Sequence, residues 1–107
     1  MFADSGALAL IALICPFEDD RRLIRTMHEE AGIAYAEVFV DTSLEECERR
    51  DPKGLYARAR AGQLPGFTGI DSAYEMPPNP DLAVGPNSGS LSEQVSCVLD
   101  LVEDLLR

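Results

Sequence analysis

"ALALIALICP", residues 7–16, is the stretch on which the fold turns. The run from Ala7 to Ile14 is apolar throughout and leaves no polar face, and Cys15-Pro16 ends it. A strand covered on both sides, as in a parallel sheet, has this character, although length alone leaves a buried helix open. The run is too short to span a bilayer, which takes about 20 residues. It carries no basic leader and no small-residue cleavage site.

On either side of this run the pattern changes. From Phe17 to Ala31, Leu23, Ile24, Met27 and Ala31 recur at three- and four-residue spacing while Asp19, Asp20, Arg22 and Glu29 occupy the other faces. That spacing predicts an amphipathic helix, stopped by Gly32. "AEVFVD" (36–41) reads as a second short buried strand. Thr42 with Glu45 has the form of a capping box that opens a helix to about Arg50, closed by Asp51-Pro52. "EMPPNP" (75–80) must be extended, since proline removes donors and restricts the residue before it. "DLAV" (81–84) reads as a third strand. Ser90 with Glu93 repeats the capping box, and Leu91, Val95, Val98, Leu99, Val102, Leu105 and Leu106 form a helical stripe for the core. The order of elements predicts an α/β domain: a parallel sheet of three strands flanked by helices, with right-handed crossovers. Ligands then gather at the carboxyl ends of the strands, where Cys15, Asp41 and the segment after Val84 lie.

The 107 residues suffice for a single domain, 1–107. A net charge of −10 disfavours nucleic acid and anionic membrane as partners, because a phosphate surface needs a field of the opposite sign. The three cysteines, Cys15, Cys47 and Cys97, are odd in number and far apart, which suits a reducing cytoplasm better than a disulfide framework or a zinc site. Cys47 and Cys97 read as small core hydrophobes, and His28 as a solvated side chain on the polar flank of its helix.

Against this acidic background, five of the nine basic residues (Arg49, Arg50, Lys53, Arg58, Arg60) fall between positions 49 and 60. Gly54, Gly62, Pro65, Gly66 and Gly69 punctuate the following stretch as mobile backbone around Phe67. Concentrated positive charge on a glycine-rich segment points to an anionic ligand; a solvated helix face neutralised by Glu45, Glu46 and Glu48 is the plain alternative. Asp41 and Asp51 are explained by capping and hinge contacts without a catalytic role.

"LICPF", "VFVDTSLEECERRDPKGLYARARAG" and "GFTGIDSAYE" together resemble the C-terminal two thirds of adenylylsulfate kinase, which uses ATP to phosphorylate adenylyl sulfate at its 3′-hydroxyl in sulfate assimilation. The resemblance runs from Phe2 to the last helix and implies a partial P-loop kinase-like fold with a glycine-rich lid at about 52–75. By resemblance, Lys53 touches adenylyl sulfate, Gly66 and Phe67 meet its adenine, and Ile14 and Cys15 line the same pocket, with Cys15 standing where the family has serine. Arg50 and Gly89 match positions near the adenine of ATP. No residue of this chain is expected to be catalytic or to hold a metal. The sequence has no GxxxxGK[ST], the loop that grips nucleotide phosphates together with Mg²⁺ in such kinases. The resemblance places that loop, the aspartate-rich strand end and the sulfate-gripping arginines before Met1. The chain is therefore expected to be a fragment, inactive alone, whose open strands close onto each other, pair with a second copy as a homodimer, or depend on a preceding segment. A non-catalytic remnant that binds nucleotides or partner proteins is the alternative, and an acidic interaction domain on an α/β scaffold is a third reading.

Overall fold

The computed structural model describes residues 1–107. Its order is α1 (Glu18–Glu30), β1 (Val38–Val40), α2 (Leu44–Arg50), α3 (Leu55–Arg60), β2 (Leu82–Val84) and α4 (Leu91–Leu105), with 3-10 turns at Ala3–Ser5 and Pro86–Ser88. β1 and β2 pair in parallel, with Val38, Phe39 and Val40 opposite Leu82, Ala83 and Val84. The pairing continues one residue further, where the Asp41 amide donates to the Val84 carbonyl at 2.7 Å. At the other end of the pair, Asp81 accepts from the Glu37 amide at 2.7 Å and its own amide donates back to the Glu37 carbonyl. This reciprocal pair sets the register, because a slip by one residue would break both bonds and invert the faces.

The α/β class stands, but the sheet has two strands, not three. Residues 8–14 form no regular element and make no backbone–backbone hydrogen bond. Their side chains are correspondingly bare: Leu10, Ile11 and Leu13 are each at least 75% exposed. A strand is stabilised by its neighbour; β1 and β2 pair only with each other, and the apolar run joins neither of their open edges.

The same lack of a neighbour shows on the helices. α4 rests on β2, yet Leu91, Val95, Leu99 and Leu106 of the expected core stripe are exposed, as are Leu23 and Met27 of α1. Cys97 is exposed rather than packed. Of 107 residues only five are buried. The accessible surface is 7959 Å², against about 5900 Å² for a folded monomer of this mass by the usual scaling.

Capping follows the sequence at one helix and departs by a residue at the other. Ser90 and Glu93 form the expected box at the start of α4. At α2 the cap is Ser43, whose hydroxyl accepts from the Glu46 amide at 3.2 Å, while the Thr42 amide is turned to the Val40 carbonyl. The segment read as mobile backbone contains a helix of its own, α3, entered through the left-handed Gly54.

Candidate substrate pocket and lid

One cleft dominates the molecule, with a volume of about 1520 Å³. It opens between residues 7–15, β1 with its flanks, the inner face of α4, and the loop 66–77. Its lining is mainly apolar and includes Ile14, Cys15, Gly66 and Phe67. These four come from segments more than fifty positions apart, and the tertiary structure brings them to the lining of one cleft. Lys53, Arg50 and Gly89 do not line it. Lys53 is exposed and makes no ion pair. Arg50 is held on α2 by Glu46 at 2.8 Å. Gly89 has φ of 108°, and a side chain there would strike the Glu93 carboxylate, so the glycine makes room for the α4 cap.

Cys15 turns the chain out of the apolar run with φ of 41°, a left-handed value that costs a side-chain-bearing residue some strain. Arg21 holds it there. The guanidinium is 8% exposed and donates to the Cys15 carbonyl at 2.6 Å, the Glu75 carbonyl at 2.5 Å and Glu18 at 2.9 Å. It thereby ties the start of α1 to the end of the 66–77 loop. Its Nε lies 3.3 Å from Glu37 Oε1 but spends its hydrogen on Glu18, leaving that buried Glu37 oxygen without a hydrogen bond. Arg25 extends the network to Asp81 at 2.6 Å. Burial by itself would raise the Asp81 carboxyl; the Glu37 amide and the Arg25 guanidinium outweigh it and hold the group below its usual range.

The segment from 51 to 72 is ordered by its own acidic residues. Asp51, at φ of 26°, closes α2 and accepts from the Tyr56 amide at 2.9 Å and the Ala57 amide at 3.0 Å, satisfying the free first turn of α3. Of the capping and hinge contacts expected of the two aspartates, Asp51 shows the capping one, whereas Asp41 extends the strand pairing through its amide. Asp71 repeats the pattern on the loop: its carboxylate accepts from the Gly66 amide at 2.8 Å and the Phe67 amide at 2.5 Å. Gly66 has φ of 69°, which glycine adopts freely. The Phe67 ring stands edge-on to Tyr56, with centroids 5.0 Å apart and planes at 74°. Burial pushes the Tyr56 phenol above its ordinary value, with Cys47 adding to the effect. Between α3 and α2, Arg60 is paired with Glu48 at 2.6 Å.

Sequence reading missed Arg21, Tyr56 and Asp71. Only Asp71 left a signal, a carboxylate four residues after the aromatic and able to reach back to its amide. His28 was expected in solvent; it is half-buried instead, its Nδ1 2.7 Å from the Ile24 carbonyl and its ring 4.9 Å from Tyr35.

The residues present do not fit the phosphate tail of ATP or its metal. No three metal-ligating side chains are gathered anywhere, and the amides of Gly66 and Phe67 are already occupied by Asp71. The arrangement is that of a mainly apolar cleft beside a polar-closed loop, on a parallel α/β frame.

Residues 1–85 match the family model described as adenylylsulphate kinase, and the chain belongs to that family. It is 53% identical over 103 residues to the bifunctional enzyme CysN/CysC of Mycobacterium tuberculosis H37Rv, covering 96% of this chain and 17% of the relative. It is 49% identical to an adenylyl-sulfate kinase of Pseudomonas entomophila, covering 94% of this chain and 47% of that one. The chain thus spans about half the length of the adenylyl-sulfate kinases it matches and a smaller share of the bifunctional enzyme. Among solved structures, the Mycobacterium tuberculosis APS kinase CysC in complex with AMPPNP and APS superposes with a TM-score of 0.89 at 54% identity, covering 94% of this chain and 58% of that one. No helix is long and apolar enough to cross a membrane.

Proposed function

We propose that this chain forms the adenylyl sulfate pocket and lid of an adenylylsulfate kinase, which transfers the ATP γ-phosphate to the substrate's 3′-hydroxyl in sulfate assimilation. The observation that carries the proposal is that Ile14, Cys15, Gly66 and Phe67 all line one mainly apolar cleft. A related chain of the same fold binds APS and AMPPNP. In this reading Phe67 stacks on the adenine, Gly66 allows close backbone approach, and Ile14 and Cys15 form the facing wall. Lys53, exposed and unpaired, swings with the lid of about 52–75 onto the phosphosulfate, while Arg50 and Gly89 lie toward the ATP base. Cys15 offers a thiol where a hydroxyl would bond more strongly.

ATP and Mg²⁺ belong to the whole enzyme's reaction. Phosphoryl transfer needs backbone amides, a lysine and a bound metal around the phosphates, and this sequence has no GxxxxGK[ST]. Alone, therefore, the chain binds and does not transfer, which also favours the second reading of a non-catalytic nucleotide-binding remnant. The three free cysteines accord with a reducing cytoplasm. A homodimer accords with the open apolar groove, and sedimentation velocity tests it.

The test is a chimera in which this chain is preceded by the part of the mycobacterial CysC chain that it does not match. With ATP, Mg²⁺ and adenylyl sulfate it should form 3′-phosphorylated product, while the 107-residue chain forms none. A folded chimera without product overturns the enzyme reading; product from the isolated chain overturns the division of labour.

A further inference from the structure

Two aspartates in the lid hold the two rings that pack against each other. Asp51 takes the amides of Tyr56 and Ala57, Asp71 takes those of Gly66 and Phe67, and Tyr56 meets Phe67 edge to face. Phe67 is fixed from its other side as well, since its carbonyl accepts from the amides of Ile70, Asp71 and Ser72, each at 3.1 Å. The Gly69 amide closes the loop onto the Ser72 carbonyl at 2.7 Å. Both rings line the cleft.

We infer that Asp71 is a positioning residue for ligand binding: its carboxylate clamps the Gly66 and Phe67 amides so that the Phe67 ring, braced on Tyr56, faces the cleft before any ligand arrives. The inference rests on the ligand-stacking reading of Phe67. A ring on a glycine-flanked loop would otherwise lose its freedom on binding, and ordering it beforehand removes that cost from the affinity. A carboxylate suits the task because each of its oxygens accepts one amide, and charged acceptors bind amides more strongly than neutral ones. Asp51 braces Tyr56 in the same manner from the opposite side of the lid.

Asp71→Ala and Asp71→Asn separate the clamp from general stability. Without ligand, NMR of the 107-residue chain should show the Gly66 and Phe67 amide resonances moving upfield in Asp71→Ala and the Overhauser cross-peaks between the Tyr56 and Phe67 rings vanishing. Asp71→Asn should be intermediate, because its carbonyl still accepts one amide. By calorimetric titration, adenylyl sulfate affinity should fall about tenfold in Asp71→Ala and about threefold in Asp71→Asn. In a Phe67→Ala background, Asp71→Ala should cause no further loss. Unchanged ring cross-peaks in Asp71→Ala, or an equal loss of affinity with and without Phe67, overturns the inference. Should Asp71→Ala fail to fold, Asp71→Asn alone carries both readings. If the unmodified chain binds no adenylyl sulfate, the stacking assignment falls, and the ligand-free spectra still decide whether Asp71 holds the ring.

Discussion

The segment from 51 to 72 and the apolar groove lie side by side and are stabilised in opposite ways. From Asp51 to Ser72 the backbone is closed by carboxylates a few residues away: Asp51 on Tyr56 and Ala57, Asp71 on Gly66 and Phe67. From Leu8 to Ile14 the backbone closes on nothing, and the side chains stand in solvent. Polar closure of a loop needs only short-range partners, whereas a buried strand needs edges and faces supplied by remote chain. One region is therefore complete in its local geometry and the other is not.

Substitutions at the seam between these regions test the contrast most severely. A side chain at Gly85 would collide with the Asp41 carbonyl, in the backbone that continues the paired strand. G85A should part the strand ends and lower stability by about 3 kcal/mol, measured by urea unfolding. An unchanged midpoint would mean that the β1–β2 pairing does not organise the domain. Next in size, D81A removes the acceptor for the Glu37 amide and for Arg25. It should cost about 1–2 kcal/mol, discounted for partial exposure, and shift the β1–β2 register amides in NMR.

On the lid, F67A should weaken adenylyl sulfate binding about tenfold through lost stacking while leaving the unfolding midpoint nearly unchanged, which separates a ligand-facing role from a scaffold role.

Acid titration probes α2 at the lid base. Arg49 first, and then Arg50, hold the Glu46 carboxyl down to about 2 from its ordinary 4.5. A depressed carboxyl stabilises the fold above its unfolded value, and the contribution fades as pH falls from about 4.5 toward 2. E46Q should flatten that part of the stability curve, and 1 M salt should shrink the difference, since the pairs are exposed. The smallest effect belongs to the groove: L10S should change the unfolding free energy by less than about 0.5 kcal/mol while reducing binding of an apolar dye. A large destabilisation there would show that residues 7–14 are packed after all.

Sequence periodicity alone located α1, the strand cores at 38–40 and 82–84, and α4 with its Ser90–Glu93 box, because these depend on spacing and on neighbours three or four residues away. The motifs around Lys53 and Phe67 likewise marked the family. Tertiary structure decided what depends on distant chain: that Ile14-Cys15 and Gly66-Phe67 line one cleft, that Arg21 ties Cys15 to Glu75, and that Lys53 stands outside that cleft. It also decided that "ALALIALI" remains unpaired. Eight apolar residues express a tendency to be buried, but a strand forms only where another backbone offers its donors and acceptors.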